Sequence, residues 1–243
     1  CGSYAFACQL FCDFAGYSTC AIGAGLCLGF ALPDNFHWPL AARGIGDFWR
    51  RWHISLSSWL RDYVFLPLRG KQPVSVRADA SLLTTFLLMG LWHGAAWHFV
   101  VNGGQHAVAI LAERRIKRSF VGRLAFWQTD IGRFAIAFLT FTLLACISIT
   151  FRAETMSQAW DIMAVMAGMV PDTSLFALGD DQLILAVIFA EATFLTHYIL
   201  RDTTLEEVGG RLPQWLVVGI IGVLLATLVL MPGDDNAYIY FQF

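Results

Sequence analysis

The sequence predicts an all-α integral membrane protein, a multi-helix bundle with re-entrant or interfacial helices. Three observations carry that expectation. Hydrophobic residues make up 57% of the 243 and charged residues only 14%, against roughly 25% charged in an ordinary soluble domain. Five stretches, 14–33, 80–112, 134–151, 183–200 and 215–231, are apolar enough to enter a bilayer, which takes about 20 residues to cross. Between the first two lies a segment of another kind: residues 33–73 mix Trp, Arg, Asp and Ser. That mixture suits headgroup depth or a protein-lined cavity and is poorly suited to lipid.

Taken in order, 14–33 carries no formal charge and has Asp13 at its head. Its Gly25-x-x-x-Gly29 spacing reads as close helix packing. Within 33–73, a helix would put Trp49, Trp52, His53, Leu56, Trp59, Leu60 and Tyr63 on one face. Asp47, Arg51, Ser55, Ser58 and Asp62 would fall on another. The run 80–112 has 33 residues without formal charge, too long for one simple span. Asn102-Gly103-Gly104 is the expected break, giving a helix followed by a second helix or a re-entrant segment. The basic cluster Arg114-Arg115-Ile116-Lys117-Arg118, with Arg123 close by, is placed in the cytoplasm by the positive-inside rule. The 134–151 span then runs outward, the acidic 153–181 loop is external, and 183–200 returns to a cytoplasmic turn bearing Arg201 and Arg211. The last span leaves the tail outside. Glu191 interrupts its span and is expected to face protein or water. With no repeat or flexible linker, 1–243 reads as a single membrane domain. A chain that begins without Met inside an apolar stretch is expected to be the C-terminal portion of a longer protein.

The near-neutral total charge hides two halves. Residues 1–123 hold 12 of the 16 Lys and Arg and 6 of the 18 Asp and Glu, a net +6; the remainder is net −8. The basic residues alternate with membrane-grade apolar runs and form no solvated stripe, which argues against nucleic acid as a partner. The six cysteines show no C-x-x-C pair and no zinc spacing, so they read as small buried hydrophobes.

Two histidines in apolar surroundings, His53 and His93, are the candidate chemistry. Burial disfavours the charged imidazole, and a neutral imidazole can accept a proton, as a general base must. Acyl transfer to a hydroxyl needs such a base together with a group that stabilises oxyanion charge. One histidine can serve as base and the other as hydrogen-bond donor or orienting group; a structural, hydrogen-bonded histidine is the alternative for each. His98, Asn102 and His106 recur at every fourth position and can share a helix face, but with no H-E-x-x-H motif no metal site is expected. Arg50, Arg51, Arg61, Arg69 and Lys71 can attract either the phosphates of a coenzyme A donor or lipid headgroups. Asp62 either closes the pocket or holds Arg61 as an ion pair.

These residues also carry a resemblance. Asp47-Phe48-Trp49-Arg50-Arg51-Trp52-His53-Ile54-Ser55-Leu56-Ser57, with Trp59-Leu60-Arg61-Asp62-Tyr63, resembles the signature of the membrane-bound O-acyltransferase (MBOAT) family. Gly90-Leu91-Trp92-His93-Gly94-Ala95 resembles that family's second motif. Phe11-Cys12-Asp13-Phe14-Ala15-Gly16-Tyr17-Ser18, Asn35-Phe36-His37-Trp38-Pro39 and the ending Tyr238-Ile239-Tyr240-Phe241-Gln242-Phe243 are similar to its bacterial alginate O-acetyltransferase-like branch. The resemblance implies a multi-pass protein of the bacterial cytoplasmic (inner) membrane, its helices enclosing a tunnel. It implies an acyl donor, acetyl-CoA as substrate with no bound cofactor, entering from the cytoplasm. The acceptor it implies is outside, a polysaccharide such as alginate or a periplasmic acyl-acceptor protein. His93 carries over as the catalytic histidine and His53 as the second, more variable polar position, with Arg50, Arg51 and Arg61 toward the donor. Three rivals remain: D-alanyl transfer in the teichoic-acid branch, a proton-coupled transporter using His53, His93, Asp13 and Glu191, and a non-catalytic scaffold. Dependence on an acyl donor separates the transporter, and indifference to loss of His93 separates the scaffold.

Overall fold

The computed structural model describes residues 2–71, 75–169 and 180–230, and every regular element within them is helical. Helix α1 (Gly2–Cys27) begins and ends earlier than the 14–33 stretch. Gly29 takes φ 84° and the Phe30 amide reaches back to the Gly25 carbonyl at 2.8 Å, the left-handed termination that glycine permits. Gly29 therefore ends the helix instead of packing against a neighbour, while Gly25 is buried. Of the cysteines on α1, Cys8 is buried and Cys12, Cys20 and Cys27 are exposed, so the expectation of uniformly buried thiols holds only for the first.

The segment expected to form one continuous helix is broken into several pieces. These are α2 (Ile45–Arg51), α3 (Ile54–Leu60), a π-helical turn at Arg61–Phe65, and α4 (Leu66–Arg69). The break falls at Trp52, which is extended, and His53, which is left-handed at φ 44° and ψ 55°. The backbone groups released there are captured by residues before α2. His37 donates to the Arg51 carbonyl at 2.9 Å, and Ile54 donates to the Asn35 carbonyl at 3.0 Å. Since buried backbone polar groups must be paired, a tertiary contact decides a kink that local periodicity argues against.

The long charge-free run forms an antiparallel pair, α5 (Val76–His93) and α6 (Trp97–Arg118). Its break lies at Gly94-Ala95-Ala96, not at Asn102-Gly103-Gly104, which sits inside α6. The glycines serve packing: a Cβ on Gly90 would stand 2.3 Å from the Phe99 carbonyl oxygen, and one on Gly103 would stand 2.1 Å from that of Phe86. Both distances lie far inside van der Waals contact, so the two backbones approach closely only because neither position has a side chain. Ser75 caps α5 by accepting from the Ala78 amide at 3.1 Å.

Helix α7 (Asp130–Arg152) is capped by Thr129 and carries Asp130 in its first turn and Arg152 in its last, each matching the helix dipole. Helices α8 (Met156–Met166) and α9 (Asp180–Leu200) follow. A capping box of Thr204 and Glu207 opens α10 (Leu205–Arg211), and α11 (Gln214–Leu230) closes the described chain. Among the described residues α1, α7 and α9 are long and apolar enough to cross a membrane; α11 contributes a shorter apolar helix. Glu191 is exposed on α9 and does not face the packed interior. The end of the expected 215–231 span, residues 170–179 of the acidic 153–181 loop and the tail motif lie outside the described residues.

Two apolar clusters frame the site. Ile45, Phe48, Phe86, Met89, Ile110 and Leu144 join α2, α5, α6 and α7. Cys8, Leu40, Ala137, Phe141 and Phe194 join α1, α7 and α9, with the Phe141 and Phe194 rings stacked at 5.3 Å.

Candidate active site

The floor of the site is built on Asp47. Its carboxylate is buried and accepts from the Arg43 amide at 2.9 Å, from Arg201 Nη2 at 2.8 Å and from Arg51 Nε at 3.1 Å. Burial pushes this carboxyl up, but the Arg43 amide and the two guanidinium groups outweigh it, holding Asp47 well below the usual carboxylate range. Arg201 also donates to the Ala41 carbonyl at 2.7 Å, and Arg51 donates to the carbonyls of His37 and Arg201 at 3.2 and 3.0 Å. The end of α9 is thereby tied to the start of α2. From the other side Glu113 of α6 accepts from the Gly46 amide at 3.0 Å. Gly44, at φ 120°, leaves room for it: a Cβ there would lie 2.4 Å from a Glu113 oxygen.

On this floor the backbone presents His53 in a sparsely populated conformation, held by its neighbours. Asn35 Oδ1 accepts from the Ser55 amide at 3.2 Å and from Ser55 Oγ at 3.0 Å, and lies 3.3 Å from His53 Nδ1. The His53 ring packs edge-on to Phe14 at 4.7 Å. Trp92 neighbours both histidines, 6.5 Å from the His53 ring and 4.9 Å from that of His93. His53 and His93 are within each other's electrostatic reach.

His93 is the last residue of α5 and lines a small chamber of about 70 Å³ with Trp49, Met89, Asn102, His106 and Ser148 among its walls. Its ring meets Phe151 perpendicularly at 5.2 Å. His53 is not among the residues lining this chamber. The four-residue periodicity of His98, Asn102 and His106 does place all three on the buried face of α6, where they do different things. His98 Nδ1 meets the Thr150 carbonyl at 3.2 Å, and Asn102 donates to the Ile147 carbonyl at 2.9 Å and to Thr150 Oγ1 at 3.1 Å, both holding α6 to α7. His106 accepts from Trp49 Nε1 at 3.3 Å. Among the described residues no three His, Cys, Asp or Glu side chains gather as a metal site would need.

A larger cavity of about 510 Å³ adjoins the chamber at Trp49 and Met89, which line both. Arg50, Arg61 and Arg114 line it. Arg51 does not: its guanidinium is engaged with Asp47, Asp202 and backbone carbonyls. Periodicity had put Trp49, Trp52 and Trp59 on one face, yet Trp52 is buried and Trp59 is 53% exposed. Sequence marks Arg201 only as a charge in a cytoplasmic turn, because its partner Asp47 lies far back along the chain. His106 was visible only as a member of a spacing.

Comparison with known proteins agrees with the motifs. The profile of MBOAT, membrane-bound O-acyltransferase family, matches residues 2–158. The chain is 38% identical over 199 residues to a probable alginate O-acetylase of Azotobacter vinelandii, covering 82% of this chain and 38% of that protein. It is 28% identical over 260 residues to a peptidoglycan O-acetyltransferase of Helicobacter pylori, covering 99% of this chain and 48% of that protein. Over 112 residues it is 42% identical to a teichoic acid D-alanyltransferase of Bacillus subtilis, covering 43% of this chain and 28% of that protein. The chain thus spans less than half the length of these curated relatives. With its helical fold, its apolar spans and a family match running from α1 into α8, the chain belongs to the membrane-bound O-acyltransferase family.

Proposed function

We propose that this chain carries the acyl-transfer centre of a multi-pass O-acetyltransferase of the bacterial inner membrane. It moves acetyl from acetyl-CoA at the cytoplasmic face to a hydroxyl of an extracytoplasmic polysaccharide, such as alginate or a similar exopolysaccharide. Transfer is direct or relayed through a periplasmic acyl-acceptor protein. The observation that carries this reading is the junction of two cavities: a roomy one rimmed by arginine and a small one holding His93, meeting at Trp49 and Met89. The larger volume of about 510 Å³ is of the size that takes a small-molecule ligand. Arg50, Arg61 and Arg114 offer its phosphates charge-assisted hydrogen bonds; Arg51, occupied with Asp47, supports the floor instead.

In this scheme His93 takes the proton of the acceptor hydroxyl as its oxygen bonds to the acyl carbon. The carbon–sulfur bond breaks, and the imidazolium returns the proton to the departing thiolate, leaving an ester and free coenzyme A. His53 assists from beside Trp92, its ring oriented by Asn35. The polar lining of the small chamber is neutral, drawn from His93, Asn102, His106 and Ser148. Among the described residues of that lining no carboxylate faces the ammonium of a D-alanyl group, which favours acetyl.

The test is acetyl ester on exported polysaccharide in cells carrying the intact protein, wild type beside His93→Ala at matched membrane levels. Ester is expected to fall by about two orders of magnitude or more, as loss of a general base does. Ester retained at equal protein level overturns the reading and moves the proton-coupled transporter ahead.

A further inference from the structure

We infer that His106 is a hydrogen-bond donor to the acyl carbonyl oxygen, with its tautomer set by Trp49; this rests on the acyl-transfer reading above. The indole N–H can only donate, and it points at His106 Nδ1 from 3.3 Å. That nitrogen must hold a lone pair, so the proton of the neutral ring sits on Nε2. The ring is buried among Phe48, Trp49 and Phe86, and turning it over would leave the Trp49 N–H facing a C–H in place of an acceptor. His106 is therefore a fixed Nε2–H donor.

Its position gives the donor a use. His106 and His93 line one small chamber of about 70 Å³. A carbonyl seated in that chamber against His93 has the His106 ring in the same wall lining. His53 has the opposite polarity. The Ser55 amide fixes Asn35 Oδ1 as an acceptor, so the His53 nitrogen facing it bears the proton and Nε2 keeps the lone pair. The region around His93 thus presents a lone pair at His53 and a donor at His106.

The donor acts while charge builds on oxygen. As the acceptor oxygen bonds to the acyl carbon, the carbonyl π electrons move onto the carbonyl oxygen, and His106 Nε2–H hydrogen-bonds to it. When the carbonyl re-forms and thiolate leaves, the bond relaxes. His106 keeps its proton throughout, so the atom balance of transfer is unchanged. A donor aligned before the reaction costs no reorganisation at the moment of charge development.

The experiment measures transfer from radiolabelled acetyl-CoA by the intact protein in isolated membranes, separating kcat from donor KM. His106→Leu is expected to lower kcat by about 10²–10³, the usual cost of one oxyanion donor, with KM little changed. His106→Gln, which keeps an N–H donor, is expected to recover at least about a tenth of the wild-type kcat. Trp49→Phe removes the lock while leaving an aromatic ring, and kcat is expected to fall by roughly three- to tenfold. Leu and Gln variants equally impaired, or a Leu variant with wild-type kcat, overturns the assignment. Should His106→Leu fail to accumulate, Trp49→Phe decides: an unchanged kcat overturns the inference. Absence of any His93-dependent transfer in wild type sinks the acyl-transfer reading itself, whereas His93-dependent transfer indifferent to His106 and Trp49 sinks only this inference.

Discussion

Asp47 and Asp62 belong to the same aromatic, basic segment, each beside an arginine, and the fold treats them oppositely. Asp47 is paired with Arg201 at 2.8 Å where the two side chains are 12% and 9% exposed. Asp62 is paired with Arg61 at 2.7 Å where the exposures are 45% and 61%. The contact distances barely differ. What differs is solvent: at Asp47 the guanidinium groups of Arg50, Arg51 and Arg201 and the Arg43 amide replace water, and at Asp62 water is still there. Removing one partner from a buried, hydrogen-bonded pair leaves an uncompensated charge, whereas an exposed pair is screened and entropically costly to hold. The first pair is architecture, tying α9 to the floor under His53. The second leaves Arg61 available to the large cavity.

The sharpest way to break this contrast is Asp47→Asn, which keeps the shape and strands two buried arginines, Arg51 and Arg201. We expect a loss of about 3–5 kcal/mol of stability, read as a large drop in the thermal midpoint of the solubilised protein. An unchanged midpoint would show that Asp47 is not architectural. A smaller effect follows from pH. Because Asp47 is held below its ordinary value in the folded protein, its contribution is complete above the unfolded carboxylate pKa of about 4. It declines as pH falls below that value toward the folded pKa. The midpoint gap between wild type and Asp47→Asn should therefore be flat from pH 5 to 7 and shrink below about pH 4; a gap that widens in acid contradicts the sign. The smallest stability effect belongs to Arg61→Ala, expected to leave the midpoint unchanged while raising KM for acetyl-CoA several-fold, about tenfold at most for one surface charge-assisted contact. A variant with lower midpoint and unaltered KM would reverse the roles assigned to the two pairs.

Much of the molecule was legible beforehand, for physical reasons. Apolar length located α7 and α9 to within a few residues, because a bilayer span has a fixed thickness and any sequence filling it must be long and uncharged. The turn of α5 into α6 was expected but misplaced. Gly103 and Gly104 look like a break to a reader of local propensity, yet the structure uses Gly103 to admit the Phe86 carbonyl. The single helix expected through 47–63 failed at His53, because Asn35 and His37 capture the backbone groups on either side of the kink. No window of periodicity contains that information. Charge alone groups Arg51 with Arg50 and Arg61; in the fold Arg51 is buried beside Asp47, and Arg50 and Arg61 line the larger cavity.

The sequence by itself determined the membrane class, the helical fold, the family and the two histidine motifs, because each is written in composition or in a contiguous string of residues. Tertiary structure alone decided which groups share a chamber. His93 comes from the end of α5, His106 from the middle of α6, Trp49 from α2 and Ser148 from α7. Their meeting depends on how closely glycine lets α5 and α6 approach and on where Asp47 anchors α9. Those are through-space distances between residues remote in the chain, and a one-dimensional pattern does not encode them.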